Sequence, residues 1–262
     1  MLYFPQLSSG ATGQYPIQKR CIARTIVNQL PDGHMVKYAD AGAEQIEWQL
    51  TFQDLTDSEI AGLQQFFTTC EGQLNGFTFL DPLGNLLAWS EALGQPTWEA
   101  STLLQLTAGI DDPSGGTSAT RIVNPTGSDL SVQQSVNAPG GLVYCLSAFV
   151  RSQNGLPISL FRQSADASAS VLFATQAAWN RISLCGNLNT SADSITVGIT
   201  VPAGQSADVY GFQLEPQPAA SPYKSSYSAG GVYSNAHFSQ DALAVTTTGP
   251  NRNQCTLTVS TR

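Results

Sequence analysis

Residues 48–87, WQLTFQDLTDSEIAGLQQFFTTCEGQLNGFTFLDPLGNLL, constrain this chain most, because they carry start and stop signals for three successive elements. Ile46, Trp48, Leu50 and Phe52 alternate with Glu47, Gln49, Thr51 and Gln53, the period-2 pattern of a half-buried strand. Thr56 precedes Glu59 by three positions, the spacing of a capping box, and Leu55 and Ile60 flank it as a hydrophobic staple. Ile60, Leu63, Phe66, Phe67 and Cys70 then recur at helical spacing, and Gly72 stands where a C-terminal cap belongs, so a helix is expected over residues 57–71. Phe77 and Phe79 restart a strand, and Asp81-Pro82-Leu83-Gly84 reads as a β-turn with proline at its second position. One amphipathic helix therefore lies against a sheet.

With its Leu-Thr-Asp-x-Glu helix start and Phe-x-Phe-Leu-Asp-Pro exit, this cassette resembles the ring-forming domain of the distal tail proteins of tailed bacteriophages and phage-derived particles. The likeness is best over residues 40–85 and rests on apolar and capping positions rather than on catalytic ones. The other reading of the same residues is a β-helix-β piece of an unrelated α+β domain. The resemblance implies a homo-hexameric ring, tail-tube and tail-tip proteins as neighbours, and a place in the virion tail tip after assembly in the bacterial cytoplasm.

Outside the cassette, residues 16–28 and 34–39 read as strands joined by a Pro31-Asp32-Gly33 turn. About four strands by residue 85 are few for an independent sandwich. The shortage is met at the far end, where residues 242–248 and 255–261 form a hairpin around Gly249-Pro250-Asn251-Arg252-Asn253. The expected organisation is a discontinuous β-sandwich with one packed helix, from residues 1–85 with 224–262, interrupted at the Asp81–Gly84 turn by an insertion, 86–223.

The insertion has a different rhythm. Apolar or alternating runs recur at short, fairly even intervals (102–108, 117–123, 129–136, 142–151, 156–163, 170–174, 179–185, 193–201, 206–214), separated by turn clusters such as DDPSGG, NPTGS, NAPGG, SQNG and NTSAD. That rhythm indicates an antiparallel β-sandwich or jelly roll. The segments NLLAWSEALG, YCLSAFVRS and VYGFQLEPQ resemble the carbohydrate-binding-module-like jelly rolls of phage tail proteins and glycoside hydrolases. By alternation, Leu146, Ala148, Val150, Ile182, Leu184, Ile195, Val197 and Ile199 point inward. The opposite face then carries Phe149, Arg151, Phe161, Trp179 and Arg181, the candidate glycan-binding residues. Rings that stack on sugar faces, beside donors that read hydroxyl geometry, suit such a ligand. A slip of one residue would exchange the two faces and return these side chains to packing roles.

Composition narrows the partners. Of the 262 residues only 11% are charged, with net charge −8, and 11 Lys+Arg are scattered among 19 Asp+Glu. No basic run offers a nucleic-acid footprint. No apolar stretch reaches the roughly 18–20 residues that span a bilayer, and the opening MLYFPQLSSGATG lacks the parts of a signal peptide. Cys21, Cys70, Cys145, Cys185 and Cys255 contain no C-x-x-C; they read as small buried hydrophobes of a reducing compartment, with a Cys145–Cys185 bridge as the alternative. His34 and His237 stand near no nucleophile motif, and no pair of acids stands out for glycosidase work. Asp111-Asp112 reads first as a turn and second as part of a structural calcium site, which the related jelly rolls often carry; no other cofactor is expected. Three functions remain: a tail-tip ring protein displaying a domain for host-surface polysaccharide, a stand-alone glycan-binding or adhesin module, and a glycan-cleaving enzyme. The first is favoured by the helix cassette, and the third has the least acid-base inventory behind it.

Overall fold

The computed structural model describes residues 1–152, 155 and 157–261. The first strands and the helix are β1 (Ile17–Gln29), β2 (Met35–Leu55), α1 (Asp57–Thr69) and β3 (Phe77–Leu80). There follow β4 (Glu99–Ala100), β5 (Gln105–Ile110), β6 (Ala119–Val123), β7 (Leu130–Val136), β8 (Tyr144–Arg151), β9 (Pro157–Gln163) and β10 (Ser168–Ala174). The rest are β11 (Asn180–Gly186), β12 (Ile195–Val201), β13 (Ser206–Glu215), β14 (Val232–Phe238), β15 (Val245–Gly249) and β16 (Arg252–Thr261). The protein is mainly β and antiparallel, with α1 the one α-helix among the described residues. It divides into two compact units: Met1–Ser8, Thr12–Phe79 and Tyr233–Arg262 form one, Ser9–Ala11 and Leu80–Val232 the other.

In the first unit one six-stranded sheet runs β1-β2-β16-β14-β3, with β15 paired to β16. Trp48, Leu50 and Phe52 are completely buried, as their alternation requires, and Leu257 and Val259 of β16 share their core. Helix α1 contributes Ile60, Leu63 and the C-cap Cys70 to it. Phe4 lies edge-on to Phe66, Phe79 and Phe238, contacts worth about 0.5–1.5 kcal/mol each beyond the area they bury. The capping box is formed: Glu59 N–H donates to Thr56 Oγ1 at 3.2 Å and Thr56 N–H to Glu59 Oε2 at 2.9 Å. Ser8 Oγ donates to Glu59 as well, at 2.6 Å, and these bonds, Ser8's first, pull the Glu59 carboxyl down to about 2. The helix stops two residues earlier than the spacing predicts, and Glu71 enters the left-handed region ahead of Gly72, with φ of 52° and 63°.

Residues 34–39 and 46–53 do not form two strands. From Met35 on they belong to the single 21-residue β2. Only its inner part, from Ile46 on, pairs with β16; among the described residues, 35–45 have β1 alone beside them. The hairpin is therefore a two-stranded arm, extending roughly 30 Å at 3.3 Å per residue. Ile26 and Tyr38 face each other across it, and both are exposed, as are Val27 and Met35.

The second unit is a sandwich of two five-stranded sheets, β10-β9-β12-β7-β4 and β11-β8-β13-β6-β5. Leu146, Ala148 and Val150 of β8, Ile182 and Leu184 of β11, and Ile195, Val197 and Ile199 of β12 all bury in the common core, so the expected register is the observed one. Of the SQNG turn, Gln153 and Asn154 lie outside the described residues, as does Leu156 at the head of the expected 156–163 strand. Asp81 and Gly84 close the expected turn, Gly84 N–H donating to Asp81 O at 3.2 Å. Residues 80–85 and 224–231 are tied to the sandwich by Asn85, whose Nδ2 donates to Phe212 O and Lys224 O, and by the Gly231–Asn85 backbone bond.

The cysteines depart from the uniform reading. Cys70 and Cys255 are buried thiols, Cys255 pushed up to about 11 by burial. Cys21 is exposed on β1, and Cys145 and Cys185, direct partners across β8 and β11, form a disulfide. Among the described residues no helix is long and apolar enough to cross a membrane.

Candidate binding face of the second unit

The outer face of the sheet containing β8, β11, β13 and β6 gathers most of the chemistry. Phe149 and Arg151 alternate outward from β8, Arg181 lies opposite Phe149 on β11, and Asp208 of β13 lies between Arg151 and Arg121 of β6. Two guanidinium-over-ring pairs result: Arg181 stands 5.4 Å from the Phe149 centroid and Arg151 stands 4.6 Å from the Trp179 centroid.

The chain that leaves β13 folds back over the first pair. Arg181 donates to the Ser221 carbonyl and, at 2.9 Å, to Ser147 Oγ. Tyr223 packs on Tyr210 and edge-on to Phe149, with centroids 5.3 and 6.3 Å away, and its hydroxyl meets Ser90 Oγ at 2.7 Å and donates to Glu91 at 3.0 Å. Burial raises the Tyr223 phenol far above its usual range. Glu215, fully buried, accepts from Ser221 N–H at 3.0 Å and Lys224 Nζ at 3.2 Å. Gly211, at φ 63°, gives the Tyr223 ring its room, since a Cβ there would stand 3.1 Å from the ring carbons. Phe149 and Arg181 thus hold a strap in place.

The second pair stays open. Arg121 grips Asp208 with Nε at 2.7 Å and Nη2 at 3.1 Å, and Arg151 Nε adds a bond at 2.9 Å. Burial pushes the Asp208 carboxyl up, but the two arginines outweigh it and hold it below the usual carboxylate range. Together with Ser152, Ala177, Ser206 and Ala207 these three residues line a groove of about 320 Å³.

Phe161 is brought to neither pair. It sits on β9 in the other sheet, facing away from the core across Gly198, where a Cβ would stand 2.8 Å from its Cζ. Alternation placed Phe161 outward correctly but could not say which sheet β9 joins. Asp111 is exposed, while Asp112 is buried and accepts from Ser114, Gly116 and Ser118 N–H at 2.8–3.1 Å. Those bonds, Ser118's first, hold its carboxyl low and occupy its oxygens, so the pair does not fit the calcium reading. Asp208 and Arg121 were missed, although a charged residue in the middle of an alternating strand is a signal that a partner waits on the same face. A second hollow of about 270 Å³ was also missed; it lies beside Trp89, which holds φ 51°, and Tyr227, which is 72% exposed.

No protein-family model matches this sequence, and no curated protein matches it. Solved structures of similar shape include a family 61 carbohydrate-binding module, TmCBM61, in complex with β-1,4-galactotriose, 17% identical at a TM-score of 0.39 over 50% of this chain and 97% of that one. The CBM22-1 xylan-binding domain of Paenibacillus barcinonensis Xyn10C is 15% identical at a TM-score of 0.42, over 52% and 96%. The enzymatically active domain of bacteriophage CBA120 tailspike protein 4 is 11% identical at 0.42, over 52% of this chain and 22% of that one. At such scores the ligand of this face has to be argued from its own residues.

Proposed function

We propose that this is a non-catalytic structural protein that closes into a homo-oligomer through its first unit and displays the second to bind surface polysaccharide. The observation that carries the reading is the β1–β2 arm, two strands with exposed Ile26, Val27, Met35 and Tyr38 and a β2 edge that no described strand pairs with over residues 35–45. A two-stranded hairpin is marginal in water by itself, and an unpaired edge invites another strand. A neighbouring copy supplies that strand, and the same heterologous contact repeated about an axis closes a ring. The likeness of the helix cassette to distal tail proteins gives the reading its specific form: a hexameric ring at the end of a phage-type tail tube, in contact with tube and tail-tip proteins. The binding half is supported by the groove at Arg121, Asp208 and Arg151.

That groove also favours a second reading, a glycan-binding or adhesin module with no tail role, which needs no assembly. Size-exclusion chromatography with light scattering separates the two. The full chain is expected to form a discrete oligomer, and a variant with residues 24–40 replaced by a two-residue turn is expected to run as a monomer. If the full chain stays monomeric at high concentration, the second reading stands.

A further inference from the structure

Resting on the reading of the second unit as glycan-binding, we propose that the groove between Arg121, Asp208 and Arg151 takes a sugar residue bearing a carboxylate. Two guanidiniums face one carboxylate there, a local positive excess in a chain of net charge −8. Asp208 is the one acid lining the groove among the described residues, and three N–H donors already occupy its oxygens. Arg121 spends Nε and Nη2 on it and Arg151 spends Nε; among the described residues nothing accepts from Nη1 of Arg121 or from either Nη of Arg151. The Ser152 hydroxyl donates to Ser206 O at 3.1 Å. Among the described residues, the charged groups of the groove therefore offer more open donors than acceptors. A neutral sugar, whose hydroxyls need acceptors as much as donors, matches it poorly. A carboxylate accepts on both oxygens, and the planar guanidinium fork binds it with two parallel bonds.

Size and walls agree with that chemistry. A volume of about 320 Å³ is near the lower end for small-molecule sites and suits one ring rather than a long oligosaccharide. Arg121 is 45% exposed at its side chain and Arg151 27%, so both reach solvent while Asp208, at 7%, anchors them from below. Trp179 fixes the Arg151 guanidinium from one face, which costs less ordering when ligand arrives.

The test uses the full chain on an array of polygalacturonate, alginate, hyaluronan and polysialic acid, each beside its carboxyl-reduced form, with xylan, galactan and dextran sulfate alongside. At physiological salt at least one acidic glycan is expected to bind about tenfold or more above its reduced form, the order expected for hydrogen bonds to a charged group. Arg121→Gln, which leaves Arg151 on Asp208, should cut that preference several-fold with the melting temperature held close to that of the parent. Equal binding of acidic and reduced forms, or binding to neutral glycans alone, overturns the carboxylate proposal and leaves the glycan reading intact. A dextran sulfate preference that vanishes with added salt is mere ion exchange and also overturns it. No binding to any glycan, even multivalently displayed, removes the glycan reading itself.

Discussion

Arg181 over Phe149 and Arg151 over Trp179 are the same chemical pair, a guanidinium on a ring, drawn from the same two strand regions and facing the same way. One is roofed by the strap and bonded to the Ser221 carbonyl; the other borders an open groove and, among the described residues, bonds only to Asp208. The pair itself therefore does not decide between packing and binding. What decides is whether a later piece of chain consumes its donors. A covered pair contributes to stability, since two of the Arg181 guanidinium nitrogens gain fixed partners and the Phe149 ring loses water. An open pair keeps hydrogen-bonding capacity that a ligand can satisfy.

The largest effect expected from this contrast is on stability. Tyr223→Ala removes a ring packed on Tyr210, Phe149 and Gly211 and leaves the Ser90 and Glu91 contacts unmade, at a cost of about 3 kcal/mol. The measurement is denaturant unfolding of the second unit's signal in the full chain, with glycan binding measured on the fraction that remains folded. Binding should survive. A variant of unchanged stability that has lost binding would invert the comparison and make the strapped pair the site.

The middle-sized effect is on binding. Trp179→Ala takes the ring from under Arg151 and frees that guanidinium to wander, so affinity should fall on the order of tenfold, about 1.4 kcal/mol. Because Trp179 is only half-buried, stability should change by about 1 kcal/mol or less. Paired glycan-binding curves and melting curves read both. A loss of several kcal/mol in stability would return Trp179 to the core.

The same contrast marks how far the sequence could be read. Alternation sufficed for Leu146, Ala148 and Val150, because one face buried and one face wet is a pattern that shows in the residues themselves. The capping box was legible for a similar reason: Thr56 and Glu59 make their bonds within one turn. Where partners are distant, legibility ended. Residues 216–227, PQPAASPYKSSY, look like a linker, and nothing local says that Tyr223 returns to Phe149. Residues 40–45, DAGAEQ, look like a loop between strands, because the arm is wet on both faces and needs no alternation. Strand β14 buries only Ala236 and Phe238 among polar neighbours and gave too weak a period to notice.

The smallest effect is the most discriminating. Phe161 looks like Phe149 and Trp179 in sequence, an outward aromatic on an alternating strand, yet β9 pairs with β10 and β12 in the opposite sheet. Its ring crosses Gly198 and is half-buried there, so Phe161→Ala gives up part of one aromatic side chain's buried area, about 1 kcal/mol. It touches neither strap nor groove, and glycan affinity should stay within about twofold, under the 1.4 kcal/mol of a tenfold change. The measurement is the binding curve used for Trp179→Ala, taken under identical conditions so that the two ring deletions are compared directly. If Phe161→Ala lowers affinity as much as Trp179→Ala while the fold is kept, ligand runs over the other sheet. The open Arg151–Trp179 pair would then be a salt-bridged surface feature, no more a binding site than its covered twin.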